Sequence, residues 1–249
     1  MRKKLLASGC SFTDNWWTEK HDIPVWPEKV AAKLEMPCIN LGKRGLGNDY
    51  ILNSVIDKLT THRAQVGLVV VMWSNFTRID FEVEEDADIY SGLPWTSVMN
   101  SSKTPNKNVR ATLSSFMKDN NINGTVIHRE PFKIEHLVKK SLRTFYMFQE
   151  LMLSMKMPYI QLVGTQPLPP STYTAASRFL IDSPYMDKID KSKFLGWPVF
   201  KPIGGWCVDD ILDNFDNVRI SEKDYHPNCQ GHEIITQELL TTIYKNSIV

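Results

Sequence analysis

The chain has 249 residues, 42% hydrophobic and 23% charged, an ordinary globular composition with enough length for one large α/β domain or two small ones. Its 29 Lys and Arg against 28 Asp and Glu leave a net charge of +1, which excludes the electrostatic footprint of a nucleic-acid or membrane-surface binder. The longest apolar run, near Val66 to Trp73, is well short of the roughly 20 residues that span a bilayer.

Short apolar runs alternate with helical periodicities, the pattern of parallel βαβ units. A first strand is expected from about Lys4 to Ser8. Met1-Arg2-Lys3-Lys4 before Leu5-Leu6-Ala7-Ser8-Gly9-Cys10 has the outline of a lipoprotein leader. Its apolar stretch is shorter than the roughly 7–15 residues of a signal core, so it reads as a strand. A helix follows with Pro27 in its first turn and Val30, Ala31 and Leu34 on one face. Cys38-Ile39-Asn40-Leu41 reads as a second strand and Gly42 to Gly47 as a glycine-rich loop. Asn48 or Asp49 is expected to cap the next helix, whose apolar face is Ile51, Leu52, Val55, Ile56 and Leu59. Val66 to Met72 is apolar and β-branched, as a central strand covered on both faces would be.

From residue 76 to 131 the chain turns polar and loses any sustained period, which reads as an insertion or long ordered loop, a candidate lid. Regular patterns resume with a helix over Ile134 to Met155 and a strand over Tyr159 to Val163. Residues 166–216 read as a second irregular insertion, rich in Pro, Ser, Gly and aromatics through Gly205. Asn217 to Ile220 is a candidate last short strand, and a final helix is expected from Asn228 to Tyr244. No internal repeat appears. The four cysteines are scattered without a CxxC pair, which fits reduced thiols in a cytoplasmic chain. The sequons at Asn75, Asn100 and Asn123 carry no meaning there.

Two short runs carry the chemistry. Ser8-Gly9-Cys10-Ser11-Phe12-Thr13-Asp14 places a serine just past a buried strand, beside a glycine, where a nucleophile can sit exposed. Asp224-Tyr225-His226-Pro227 adds a carboxylate and an imidazole. Together they supply the three groups of serine-based acyl transfer. Considered one at a time, each has a plainer reading. Ser11 can be a turn residue, His226-Pro227 can open the last helix and Gly45 can be a turn glycine. His232, near Asp224 and Cys229 in sequence, matches no common zinc spacing, and no metal is expected. Cys10 is a second possible nucleophile beside Ser11, but its side chain leaves the strand in the other direction, so it reads as a small core residue.

These runs resemble blocks of the SGNH (GDSL-type) hydrolases. Gly9-Cys10-Ser11-Phe12-Thr13-Asp14 is similar to the first block, Gly-Asp-Ser-x-x-Asp, with Cys10 in place of the aspartate. Asn40-Leu41-Gly42-Lys43-Arg44-Gly45 is similar to the second. Trp73-Ser74-Asn75 stands where the family has Gly-x-Asn-Asp, with Trp73 for the glycine and Phe76 for the aspartate. Asp224-Tyr225-His226-Pro227 resembles Asp-x-x-His-Pro with one fewer intervening residue. The blocks follow the family's order, at strand ends or before a helix.

The resemblance implies a single domain over residues 1–249, a three-layer α/β/α sandwich with a parallel, flavodoxin-like sheet. It implies Ser11 as nucleophile, His226 as general base and Asp224 as its orienting acid, with Asp209 or Asp210 as alternatives for the last role. The oxyanion would be met by the N–H groups of Ser11 and Gly45 and the amide of Asn75. Trp16 and Trp17 are candidates for lining the pocket, and Arg44 and Arg78 for meeting an anionic group. The function implied is a cofactor-free serine esterase acting on a small acyl or carbohydrate O-acyl ester. An acyltransferase using the same triad, and a non-catalytic binding module on the same fold, are the alternatives.

Overall fold

The computed structural model describes residues 2–82, 95–99 and 133–248. In chain order the elements are β1 (Lys4–Gly9), α1 (Trp16–His21), α2 (Trp26–Lys33), β2 (Cys38–Asn40), α3 (Asn48–His62), β3 (Val66–Trp73), β4 (Arg78–Glu82) and β5 (Trp95–Met99). They continue with α4 (Ile134–Ser154), β6 (Tyr159–Val163), α5 (Tyr173–Ile181), β7 (Phe194–Leu195), α6 (Val208–Leu212) and α7 (Cys229–Lys245).

Five strands form one sheet in the order β2-β1-β3-β6-β7, every pair parallel. Counted within the sheet, that is the 2-1-3-4-5 order of flavodoxin-like folds. Period-2 alternation along the central strands splits the core in two. Leu68, Val70 and Met72 of β3, with Leu5, Ala7, Ile160 and Leu162, pack toward Val30 of α2 and Ile235 and Leu239 of α7. Val69, Val71 and Trp73, with Leu6, Tyr159 and Val163, pack toward Ile51 and Val55 of α3 and Phe145 and Phe148 of α4. Helices therefore cover both faces, and the apolar runs that read as buried strands are buried strands.

Four expectations are corrected. The 76–131 segment opens with an ordered antiparallel pair, Arg78 opposite Met99 and Glu82 opposite Trp95. Its remainder, 83–94 and 100–131, with the expected lid, lies outside the described residues. The 166–216 segment is not irregular throughout. It holds α5, α6 and β7, the fifth strand of the sheet, which is too short to leave a sequence period. Residues 217–220 form no strand; one isolated antiparallel bridge joins Arg219 to Pro227. Finally, the N-cap of α3 is Gly47, with Asn48 and Asp49 already inside the helix. The cysteines are unbridged: Cys10 and Cys207 are buried, Cys38 half-buried and Cys229 exposed. Among the described residues no helix is long and apolar enough to cross a membrane.

Candidate active site

The loops after β1, β2 and β3 lie at the carboxyl ends of adjacent parallel strands, where open α/β sheets bind ligands. After Gly9 the carbonyl of Cys10 accepts the N–H groups of Thr13 (2.9 Å) and Asp14 (3.2 Å), closing a tight turn that carries Ser11. Thr13 packs between two glycines. A Cβ on Gly9 would lie 2.1 Å from Thr13 Oγ1, and one on Gly42 would lie 2.6 Å from Thr13 Cβ. Two polar side chains stitch this turn to the glycine loop. Asn40 Nδ2 donates to the Thr13 carbonyl (2.6 Å) while its Oδ1 accepts the Gly42 N–H (2.9 Å). Asp14, fully buried, accepts the N–H groups of Trp16 (3.0 Å) and Arg44 (2.9 Å).

Asp224 Oδ1 lies 2.5 Å from His226 Nδ1 and accepts the His226 backbone N–H at 3.1 Å. An ionised carboxylate only accepts, so Nδ1 carries the proton and Nε2 faces away from Asp224. Burial opposes the Asp224 charge, but the ring and backbone hydrogen bonds of His226 and the positive potential of His226 and His21 outweigh it. They hold the carboxyl below its usual range. The two alternative acids are engaged elsewhere. Asp209 pairs with Arg219 (2.8 Å) and accepts the Gln166 N–H (2.9 Å). Asp210 pairs with Lys201 (2.8 Å) and accepts the Cys207 N–H (2.9 Å).

The His226 ring packs on Trp17 (centroids 4.9 Å apart, 40° between planes) and meets Phe12 edge-on at 5.6 Å. Trp17 Nε1 in turn donates to the Ser11 carbonyl at 2.8 Å. The imidazole is thus laid against the residues that flank and hold the serine. Ser11 is 7% exposed, and its Oγ makes no hydrogen bond among the described residues. Such a contact commonly tightens only when substrate is bound.

The three candidate oxyanion donors lie in the loops after β1, β2 and β3. Gly45 has φ +84°, and a Cβ there would meet nothing within 4 Å. Its N–H and that of Ser11 make no hydrogen bond among the described residues. Asn75 Oδ1 accepts the Thr77 N–H (2.8 Å) and hydroxyl (2.6 Å), so Nδ2 faces the Gln166 carbonyl (2.7 Å) with one hydrogen to spare. The departures around Asn75 are core residues. Trp73 is fully buried and donates to Gln161 Oε1 (3.0 Å), and Phe76 packs on Phe145 and Phe200.

Of the pocket candidates, Trp17 is buried beneath the imidazole, whereas half-buried Trp16 carries the Arg44 guanidinium over its ring at 4.1 Å. Arg78 Nη1 donates to the Leu46 carbonyl at 2.6 Å, while its buried Nε has no hydrogen-bond partner among the described residues. Cys10 is fully buried. His232 is buried too; its Nδ1 accepts the Trp26 N–H (3.3 Å), and burial pushes its pKa down to about 3. No His, Cys, Asp or Glu cluster among the described residues is placed to hold a metal ion. Sequence reasoning assigned no role to Asn40, Asp14 or Phe12. For the first two the available signal was a polar residue inside an otherwise small or apolar block.

Comparison with known proteins adds a family and a fold. No curated protein matches the sequence. Among solved structures, the psychrotrophic esterase EstA from Pseudoalteromonas sp. aligns at a TM-score of 0.51 and 10% identity, covering 98% of this chain and 97% of that one. A protein described as a putative lipolytic protein of the G-D-S-L family from Desulfitobacterium hafniense aligns at 0.47 and 11% identity, covering 96% and 99%. A catalytic mutant of the acetylxylan esterase Axe2 from Geobacillus stearothermophilus aligns at 0.47 and 13%, covering 97% and 94%. The likeness to EstA shows a shared α/β fold, in agreement with the sheet order. The model of a family of unknown function, DUF6071, matches residues 11–248, and the chain belongs to that family.

Proposed function

We propose that this protein is an SGNH-type serine esterase that hydrolyses a small acyl ester or a carbohydrate O-acyl ester through an acyl-Ser11 intermediate. The observation that carries the reading is the Asp224–His226 pair at 2.5 Å, its imidazole packed on the two aromatic residues that hold and flank Ser11. Ser11 Oγ attacks the acyl carbon as His226 Nε2 takes its proton. The oxyanion is met by the N–H groups of Ser11 and Gly45 and the spare Nδ2 hydrogen of Asn75. Collapse breaks the ester C–O bond, and the proton passes from His226 to the leaving alcohol. Water then repeats the attack, returning Ser11 and releasing the acid. Asp224 holds the imidazole tautomer and stabilises the imidazolium. The Trp16 face with Arg44 stacked on it forms a wall suited to a sugar ring or an anionic substituent.

Hydrolysis of p-nitrophenyl acetate by wild type, Ser11→Ala and His226→Ala tests this. Either variant is expected to lose at least about 10³-fold in kcat, and unchanged turnover in Ser11→Ala overturns the serine mechanism. Preferential transfer of the acetyl group to an added sugar identifies an acyltransferase. Absence of turnover together with absence of phosphonate labelling identifies a binding module.

A further inference from the structure

We propose that β4 is a brace for the oxyanion side of the site. In this role Arg78 and Asp80 fix the loop carrying Gly45 and tether it to the segment carrying Asn75. The inference rests on the esterase reading for its catalytic meaning, though not for its geometry.

The first turn of a helix presents N–H groups without helical partners, usually met by a Ser, Thr, Asp or Asn at the N-cap. In α3 the N-cap is Gly47, which has no side chain to offer. The groups are met from a distant strand instead. Asp80 Oδ1 accepts the Gly47 N–H at 2.7 Å, and Oδ2 accepts those of Asp49 and Tyr50 at 3.0 Å each. Arg78, on the same face of β4, donates through Nη1 to the Leu46 carbonyl at 2.6 Å. Two side chains therefore hold four backbone groups of residues 46–50, beginning immediately after Gly45.

The fit is close enough to fix the sequence of the loop. A Cβ on Gly47 would lie 2.7 Å from Arg78 Cβ and 2.8 and 2.9 Å from the Asp80 oxygens. Burying a carboxylate is costly, and burial pushes the Asp80 carboxyl up despite these hydrogen bonds. A serine or aspartate at position 47 would cap the helix locally without that cost. What the distant carboxylate adds is a link between the hairpin and the glycine loop.

The same strand is continuous with Asn75. The Arg78 N–H donates to the Asn75 carbonyl at 3.3 Å. A second tie runs between the two segments, with Asn48 Oδ1 accepting the Ser74 N–H at 2.7 Å. From α4, Lys140 Nζ meets Asp49 Oδ2 at 2.5 Å and the Arg78 carbonyl at 3.4 Å, closing the brace from outside. Gly45, with φ +84° and open space where a Cβ would stand, is held from both sides, by the Arg44 N–H on Asp14 before it and by these ties after it. Arg78 and Asp80 are accordingly positioning residues.

The test uses full-length Asp80→Asn and Arg78→Met, each read in two ways. The first is kcat and KM for p-nitrophenyl acetate per phosphonate-titrated active site; the second is amide hydrogen exchange. Asp80→Asn replaces one carboxylate oxygen by an amide donor, set against either the Gly47 N–H or those of Asp49 and Tyr50. It is expected to lower kcat per titrated site about 10- to 100-fold with KM within about twofold. Exchange is expected to accelerate at residues 45–50 and not in α7. Arg78→Met leaves the Asp80 contacts in place, so it is expected to shift both readouts the same way by less. It carries the test if Asp80→Asn does not fold. A loss of thermal stability with kcat per titrated site and KM unchanged makes Asp80 a helix cap only and overturns the proposal, as does unchanged exchange at residues 45–50. If the wild type turns over no ester, the esterase reading fails by itself. The exchange measurement then decides the brace.

Discussion

Asp224 and His226 meet through both the ring and the backbone, on one carboxylate oxygen. That double contact follows from their spacing, because a carboxylate reaches the N–H two residues on as an Asx turn does. Asp224→Asn keeps the shape but presents an amide to Nδ1 and favours the wrong tautomer. Its kcat on p-nitrophenyl acetate is expected to fall about 10³- to 10⁴-fold with KM little changed. Because the folded Asp224 carboxyl lies below its usual range, its contribution to stability is complete above its unfolded pKa of about 3.9. It is lost only as pH falls below that value. His232 acts in a different window. Its folded pKa is about 3 and its unfolded value about 6.5, so between the two only the unfolded chain takes the proton. Unfolding free energy is expected to drop by about 2 kcal/mol between pH 7 and pH 5. His232→Asn, which keeps an acceptor for the Trp26 N–H, is expected to flatten that part of the profile in urea titrations at the two pH values.

At the scale of elements, the site is built from strand ends and the short contacts that follow them. Thr13 fills the space that Gly9 and Gly42 leave, so the first and second blocks interlock through three residues. Gly9→Ala is expected to cost about 1–3 kcal/mol or more by overpacking against Thr13, read as a lower urea midpoint. The elements differ in how far the sequence reveals them. β1, β3 and β6 are apolar runs buried on both faces, and their sequence pattern places them within a residue or two. β7 is two residues long, shorter than any period, and sits among prolines, glycines and aromatics. β4 reads Arg-Ile-Asp-Phe-Glu, where Arg78 and Asp80 face backbone groups rather than water, so their charge disguises a strand whose polar face is used internally. The cap of α3 was illegible for a related reason: its acceptor lies 31 residues from Asp49.

For the whole molecule, five parallel strands with helices on both faces put the Ser11, Gly45 and Asn75 loops at the carboxyl ends of β1, β2 and β3, and the turn before α7 lays His226 against Phe12 and Trp17. Phe145 shows what holds that arrangement. It is fully buried and meets Trp73, Phe76 and Phe194 from α4. Phe145→Ala is expected to cost about 3–5 kcal/mol in urea unfolding. Ser11 stands out in the sequence as a serine just past a buried strand, and Asp224 and His226 as an acid and a base two residues apart. Asn40, Asp14 and Asp80 act through backbone groups far away in sequence, which a single chain does not display. The most direct measurement of the central claim is reaction with a fluorophosphonate probe, followed by intact mass and peptide mapping. One adduct is predicted, on the peptide containing Ser11, absent in Ser11→Ala and strongly slowed in His226→Ala. An adduct on another residue, or ester turnover that persists in Ser11→Ala, would contradict it.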